Sequence, residues 1–511
     1  MTTMTHTSDF DFGDMQGLVN FGYRALTETC FLLINVKDVV AAKQWLGDLP
    51  VSNAVAATPG PDKAVQIAFS VAGLRKLGVK DGVIEDFADE FITGMSGDDS
   101  RSRRLGDVGS NAPQYWQWGG DAEQVPQILL LLYAEPGGIK AWRKQLEDEV
   151  FSRAFEVLRQ LPTRHLGGIE PFGFADGISQ PTIDWSRQQS TDPHDRDGFS
   201  NLLAIGEIVF GYPNEYRQYT ARPLIDPKAD PFAAALADAE DQPGLKDFAR
   251  NGSFLVLRQL EQDVPGFWQF IDRAVDADAE KREQLAAAMV GRQRNGEPLL
   301  PAAGEHIPGI ADDDRLNHFN YAADPLGNVC PFGAHIRRAN PRSGDMPSRS
   351  NGLFERLLKI LGFGLKRPND DLVASSRFHR LLRRGQPYGP LLTSENALKA
   401  KAPAAERGLQ FICLVANISR QFEFVQNAWM MNSKFAGLQL ERDPLLAHRQ
   451  PLHNGDLTDH FNRPDPPGPL RQTGHLPQFI TVRGGGYFFL PGLRAIKYLA
   501  TLPSTSGERT P

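Results

Sequence analysis

Short apolar runs followed by amphipathic stretches organise the chain. In the first third, Phe31 to Val36 is apolar and leads through Asp38 into an amphipathic stretch that reaches Trp45 and Leu46. Val65 to Val71 alternates, with Val, Ile and Phe on one face, and passes into Ala72 to Leu77. Ile128 to Tyr133 is apolar between Pro126 and Pro136, and a helix is predicted from Ile139. Period-two or continuous apolar runs mark strands, and spacings of three and four mark helices. Strands alternating with helices predict a layered α/β or α+β fold in which helices cover a sheet.

The same succession returns later. Phe254 to Leu257 precedes Asp263 and the stripe Phe267, Phe270, Ile271; Leu409 to Val415 precedes the stripe Phe422, Val425, Trp429. Phe479 to Val482 forms a third run that reaches Phe488 to Leu490 after Gly484, Gly485 and Gly486, a triplet that suggests a bulge or a close backbone approach. The pattern therefore predicts an internal duplication, two halves of similar topology.

Composition changes this picture little but excludes several classes. The 511 residues are 41% hydrophobic and 23% charged, which rules out wholesale disorder. The net charge of −7 lacks the basic excess of a nucleic-acid binder. Three scattered cysteines (Cys30, Cys330, Cys413) form neither a disulfide framework nor a thiolate metal site. The polar, acidic stretch Met1 to Gly17 carries no secretory or twin-arginine pattern, and the longest apolar run, Ile128 to Ala134, is too short to span a bilayer. The expectation is a soluble, cytoplasmic protein with no nucleic-acid or membrane partner. A basic amphipathic stretch, Leu353 to Leu365, is expected to pack on the domain with a solvated cationic face.

No phosphate-binding glycine loop, G-x-G-x-x-G, H-E-x-x-H, C-x-x-C or C-x-x-C-H occurs, so nucleotide folds, zincins and covalently attached haem are not indicated. The long irregular regions from Gly168 to Asn251 and from Asn340 to Asp371 draw attention instead, because loops of that length are usually functional. In Pro171 to Pro181, Asp176 lies among Phe172, Phe174 and Ile178; it is either a general base of tuned pKa or the cap of an Asp-Gly turn. In Cys330 to Arg342, His335 precedes three arginines, a setting suited to a dianionic ligand such as the propionates of haem, or simply a partly buried histidine. Arg377 to Gly389 is cationic and either stabilises a developing anion or ends a helix. Glu423 lies on the stripe after a core strand and is either a surface carboxylate or a partner for a buried base.

Together these segments resemble the dye-decolourising peroxidase family. Gly173-Phe-Ala-Asp-Gly177 matches its G-x-x-D-G motif, Cys330 to Arg342 resembles its axial-histidine segment, and Arg383 to Gly389 resembles its distal-arginine segment. Gln421 to Gln426, Asp14 to Gly17 and Arg483 to Leu490 also fit, and the length resembles the larger subclass with long insertions.

The resemblance implies an α+β fold of two ferredoxin-like halves, antiparallel sheets with flanking helices, in the family's dimeric α+β barrel-like arrangement. It implies boundaries at 1–170, 171–250 for the linking region with the distal Asp, and 251–511 for the main haem-binding part. One non-covalent haem b per chain is implied, with His335 as proximal iron ligand and Glu423 accepting the other ring N–H of His335. Asp176 and Arg383 take the distal face, Arg342 pairs with a propionate, and Leu409 and Phe411 line the pocket. Hydrogen peroxide is the implied oxidant, dyes and phenolics the donors, and a ferryl species the intermediate. Tyr388 and Trp429 are candidate surface relays for donors too large for the pocket. The rival expectations are a chlorite-dismutase-like or deferrochelatase-like haem enzyme and a non-catalytic haem carrier; a carrier has no use for both Asp176 and Arg383. The C-terminal tail shows no docking motif for a nanocompartment.

Overall fold

The computed structural model describes residues 10–121, 125–185, 202–300, 316–317, 319–321, 323–342, 376–401, 405–465 and 470–503. The stretch Leu353 to Leu365 lies outside them. Nine strands make one antiparallel sheet: β1 (Glu28–Val36), β2 (Lys63–Phe69), β3 (Ile128–Ala134), β4 (Phe155–Leu161), β5 (Ser253–Gln262), β6 (Leu382–Arg383), β7 (Gln386–Tyr388), β8 (Gly408–Val415) and β9 (Ile480–Leu490). Their order is β6-β8-β5-β9-β2-β3-β1-β4, with β7 also on β8. The first half is thus β4-β1-β3-β2, the βαββαβ order of a ferredoxin-like unit. The second half repeats it as β9-β5-β8, with its remaining strand reduced to the short pieces β6 and β7.

The predicted strands are all present. Those without a strong apolar run were not legible: β4 buries only its two ends, and β6 and β7 are two and three residues long. The apolar runs of β1 and β3 are continuous because both sheet faces are covered. Leu32, Ile34, Leu130 and Leu132 join one apolar layer, and Phe31, Leu33, Leu129 and Leu131 the other.

Helices α1 (Val39–Asp48), α2 (Asp99–Leu105), α3 (Ile139–Leu146), α4 (Val264–Ala274), α5 (Ala279–Val290), α6 (His335–Ala339) and α7 (Leu493–Thr501) flank the sheet. Asp38 and Asp263 cap α1 and α4 by accepting backbone N–H groups of their first turns. The stripe Phe422, Val425, Trp429 forms two π-helical segments, Ser419–Glu423 and Val425–Met430.

The half-sheets meet where β9 pairs with β2 only at Phe489 and Phe69. Buried Gln16 staples this seam: its amide bonds Ile67 O (2.8 Å) and Pro491 O (2.9 Å), and its carbonyl accepts Ile67 N–H (2.9 Å). Nearby, Asp14 Oδ1 accepts Arg494 N–H at the start of α7 (2.7 Å). The glycine triplet lies within β9, as a bulge and a close approach together. The register against β5 slips between Gly484 and Val482, and a Cβ on Gly484 would lie 2.3 Å from the Trp118 ring nitrogen.

Candidate active site

The Asp176 segment is a closed loop. Asp176 N–H bonds Gly168 O (2.9 Å), Glu170 N–H bonds Phe174 O (2.9 Å), and Ala175 N–H bonds Arg294 O (2.9 Å). Gly173 and Gly177 hold φ of 98° and 79°, left-handed values that favour glycine on either side of the carboxylate. On the facing edge strand β6, Arg383 donates through Nη1 to Asp176 Oδ1 (3.0 Å) and through Nη2 to Ser179 O (3.2 Å). Gln180 ties the two segments: its amide carbonyl accepts Arg383 N–H (3.0 Å) and its NH2 donates to Arg383 O (3.2 Å).

Oδ1 of Asp176 also takes the Gly177 N–H at 2.6 Å, whereas Oδ2 takes no donor among the described residues. Burial pushes this carboxyl up, but the Arg383 guanidinium and the Gly177 N–H outweigh it and hold the pKa below the usual carboxylate value. Asp176 is therefore ionised, with Oδ2 available as a base.

His335 opens α6. Its Nδ1 lies 3.0 Å from Asp443 Oδ2, and its Nε2 has no hydrogen-bond partner among the described residues. Asp443 is fully buried, and its other oxygen accepts the N–H groups of Leu445 (3.0 Å) and Leu446 (2.7 Å). Burial opposes the charge on Asp443, but His335, the Leu446 N–H and the nearby Arg338 keep its pKa low. A carboxylate behind Nδ1 fixes the proton there and leaves the Nε2 lone pair for a ligand. The pKa of His335 is raised: burial pushes it down, and Asp443 more than reverses that.

His335, Asp176 and Arg383 border one cavity, and Asp176 and Arg383 are close enough to His335 to shift its pKa in opposite directions. Val290, Ile336, Leu409, Phe411, Met430 and Leu446 give the cavity apolar walls. Arg292 and Arg342 also line it, buried and with only neutral hydrogen-bond partners among the described residues. Arg292 donates to Gly296 O, Leu316 O and Ser179 Oγ; Arg342 donates to Asn317 O, Phe319 O, Asn317 Oδ1 and Ser179 Oγ. Burial, with a neighbouring guanidinium, pushes both down to about 10.

This donor set fits a haem. A histidine with one ring nitrogen unpartnered among the described residues lines a largely apolar cavity, and two buried cations there pair with no carboxylate among the described residues, a set that suits the two propionates of haem. No group of three His, Cys, Asp or Glu residues suited to a bare metal ion occurs among the described residues.

Three expectations need correction. Glu423 does not back His335. It points to the sheet, accepting the Tyr487 hydroxyl (2.9 Å) and pairing with Arg101 of α2 at 2.9 Å, because the π-helical turn carries it away from α6. Asp443 holds that position instead, in an irregular stretch with no apolar periodicity; its only sequence signal is the Asp-Pro dipeptide of a turn. Tyr388 is 1% exposed and Trp429 7%, so neither is a surface residue. Tyr388 is covered because β7 pairs with β8 beside Gly408, whereas Trp429 lines the cavity, its ring edge-on to His379 and Phe424. Arg342, Leu409 and Phe411 all line the cavity. Sequence reasoning also missed Glu170, Ser179, Gln180 and Arg292.

No protein-family model matches the chain. A multifunctional dye peroxidase of Amycolatopsis sp. (strain ATCC 39116 / 75iv2), DyP2, is 30% identical over 409 residues, covering 76% of this chain and 74% of its own. Dye-decolorizing peroxidase msp1 of Mycetinis scorodonius is 28% identical, over 95% of this chain and 86% of its own. A dye-decolorizing peroxidase solved in complex with 2,6-dimethoxyphenol superposes with a TM-score of 0.70 at 23% identity, over 96% of this chain and 100% of that one.

Proposed function

The chain belongs to the dye-decolourising peroxidase family and is a peroxidase, and from that premise we propose that it holds one haem b without covalent attachment and uses hydrogen peroxide to oxidise dyes and phenolics. The observation that carries this reading is the meeting in one cavity of His335, backed by Asp443, and the Asp176–Arg383 pair. His335 Nε2 would ligate the iron, and Arg342 and Arg292 would take the propionates. When bound, the haem would supply the redox chemistry, a two-electron reduction of peroxide matched by two one-electron donors.

The chain's own groups move the protons. Asp176 Oδ2 accepts a proton from one peroxide oxygen and returns it to the other, which leaves as water. Arg383 stabilises the negative charge that grows as the O–O bond lengthens. Gln180 and Ser179 hold Arg383 in place, so little reorganisation is needed when that charge appears. Asp443 keeps the Nδ1 proton on His335 and makes the imidazole a stronger donor. A small phenol enters the cavity directly; for a larger dye, Trp429 on the cavity wall is the better placed of the two aromatic candidates as an inner relay.

A haem carrier would need His335 and the buried arginines but not an ionised distal base paired with Arg383. The test is spectroscopic and kinetic. Protein reconstituted with haem is expected to show a Soret band and peroxide-dependent bleaching of an anthraquinone dye. No Soret band removes the cofactor assignment, and a Soret band without turnover favours the carrier.

A further inference from the structure

We propose that Glu170 is a positioning residue for the peroxide reaction: its carboxylate closes the loop that presents Asp176 and so fixes where Oδ2 of Asp176 sits. This rests on the reading of Asp176 as the proton acceptor.

Three donors converge on the two oxygens of Glu170. Oε2 accepts Phe172 N–H (2.9 Å) and the Gln262 amide (2.8 Å), and Oε1 accepts Phe174 N–H (2.9 Å). Two of these come from the loop itself and one from β5, so the same side chain sets the loop's curvature and moors it to the sheet. The backbone of Glu170 continues the pattern: its carbonyl accepts Gly173 N–H (2.8 Å) and its N–H donates to Phe174 O.

On its other side the loop is held by α4. Phe172 packs on Phe267 with ring centroids 4.6 Å apart, Trp268 Nε1 donates to Phe172 O (3.1 Å), and Phe174 stacks parallel to Trp268. Those contacts fix the loop's distance from α4. The ring contacts alone do not fix its rotation, because rings slide at little cost; the Trp268 hydrogen bond is one directional anchor, and the three directional Glu170 bonds complete the set that fixes it.

A half-buried carboxylate that shares a cavity with a second one is a costly way to close a turn. Burial pushes Glu170 up to about 7, and the nearby charge of Asp176 pushes the same way, against the three donors. Only a carboxylate accepts at both oxygens. An amide would turn an NH2 toward a backbone N–H and force the loop to move.

The experiment is stopped-flow mixing of haem-loaded protein with peroxide for the parent, Glu170→Gln, Asp176→Asn and the double variant. Glu170→Gln is expected to keep its Soret band and lose roughly 10- to 100-fold in rate, the scale of a displaced reacting group. In the Asp176→Asn background the same change is expected to add less than about twofold, since effects through one residue are not additive. Amide exchange over 168–177 is expected to quicken in Glu170→Gln in the haem-free chain as well. A parent-like rate for Glu170→Gln, or an equal loss with and without Asp176, overturns the inference. A parent-like rate for Asp176→Asn overturns the reading of Asp176 and this inference with it; a slow Asp176→Asn beside a parent-like Glu170→Gln overturns the inference alone. Should Glu170→Gln not fold, Gln262→Leu removes one of the three donors. It is expected to lose a few-fold in rate with the same non-additivity, and a parent-like rate there also overturns the inference.

Discussion

The two halves share one strand order and differ in what fills it. In the first, β3 reads Ile-Leu-Leu-Leu-Leu-Tyr-Ala and every residue is buried; Leu130 and Leu132 join the layer that also holds Trp45, Trp142 and Phe151. In the second, β5 carries Arg258, Leu260 and Gln262 to the cavity, β8 carries Leu409 and Phe411, and β6 carries Arg383. After β3 comes a regular α-helix; after β8 come π-helical turns, which are wider and recur at functional sites. A duplicated topology thus supports two roles, a solid support and a chamber. The difference lies in a few side chains and one widened helix.

Substitutions ordered by their effect on the peroxide reaction break this comparison at different depths. His335→Ala removes the cavity imidazole that has a buried carboxylate behind it and a ring nitrogen unpartnered among the described residues. It is expected to lose stable haem and with it all peroxide turnover; full haem occupancy with an unchanged spectrum would refute the assignment.

Next come Asp176 and Arg383, which share the cavity with His335. Asp176→Asn is expected to slow peroxide consumption by roughly 10²–10⁴-fold with haem retained, and Arg383→Leu by roughly 10²–10³-fold. Their pH profiles separate the roles. Only ionised Asp176 accepts a proton, and its pKa is held low, so acid inhibition of the parent should set in below the ordinary carboxylate value. Without the Arg383 charge, burial dominates and the pKa rises, so in Arg383→Leu the inhibition should begin at higher pH. An unshifted acid limb, measured by stopped flow, would detach Arg383 from the ionisation of Asp176.

Asp443→Asn and Glu423→Gln test which carboxylate serves His335. Asp443→Asn is expected to alter the ferric spectrum and weaken haem affinity by about 10–100-fold. Glu423→Gln is expected to leave the spectrum alone and cost about 3–5 kcal/mol of stability, because Arg101 is left buried without its partner. Thermal melts and haem titrations of both variants check this, and the reverse assignment of effects would restore Glu423 to the site.

The smallest effect on chemistry belongs to the first half. Leu130→Ala is expected to lower stability by about 2–5 kcal/mol as a core truncation while leaving peroxide kinetics and spectrum as in the parent. A kinetic effect as large as that of Asp176→Asn would mean that the two halves are not divided as described.

The sequence by itself determined the strands whose both faces are buried, the duplication, and the segments that hold Asp176, His335 and Arg383. Those features rest on local pattern: continuous apolar runs, glycines flanking a carboxylate. The tertiary structure alone decided which carboxylate meets His335. Asp443 and Glu423 are equally ordinary acids along the chain, and only the path of the π-helical turns and the Asp-Pro turn sends one to α6 and the other to Arg101. It also decided that Tyr388 is covered, that Arg292 joins Arg342 in the cavity lining, and that Glu170 moors the Asp176 loop. Each of these joins residues tens to hundreds of positions apart. Sequence periodicity reports which face a residue takes on its own element; the partner across the cavity is set by how the elements pack.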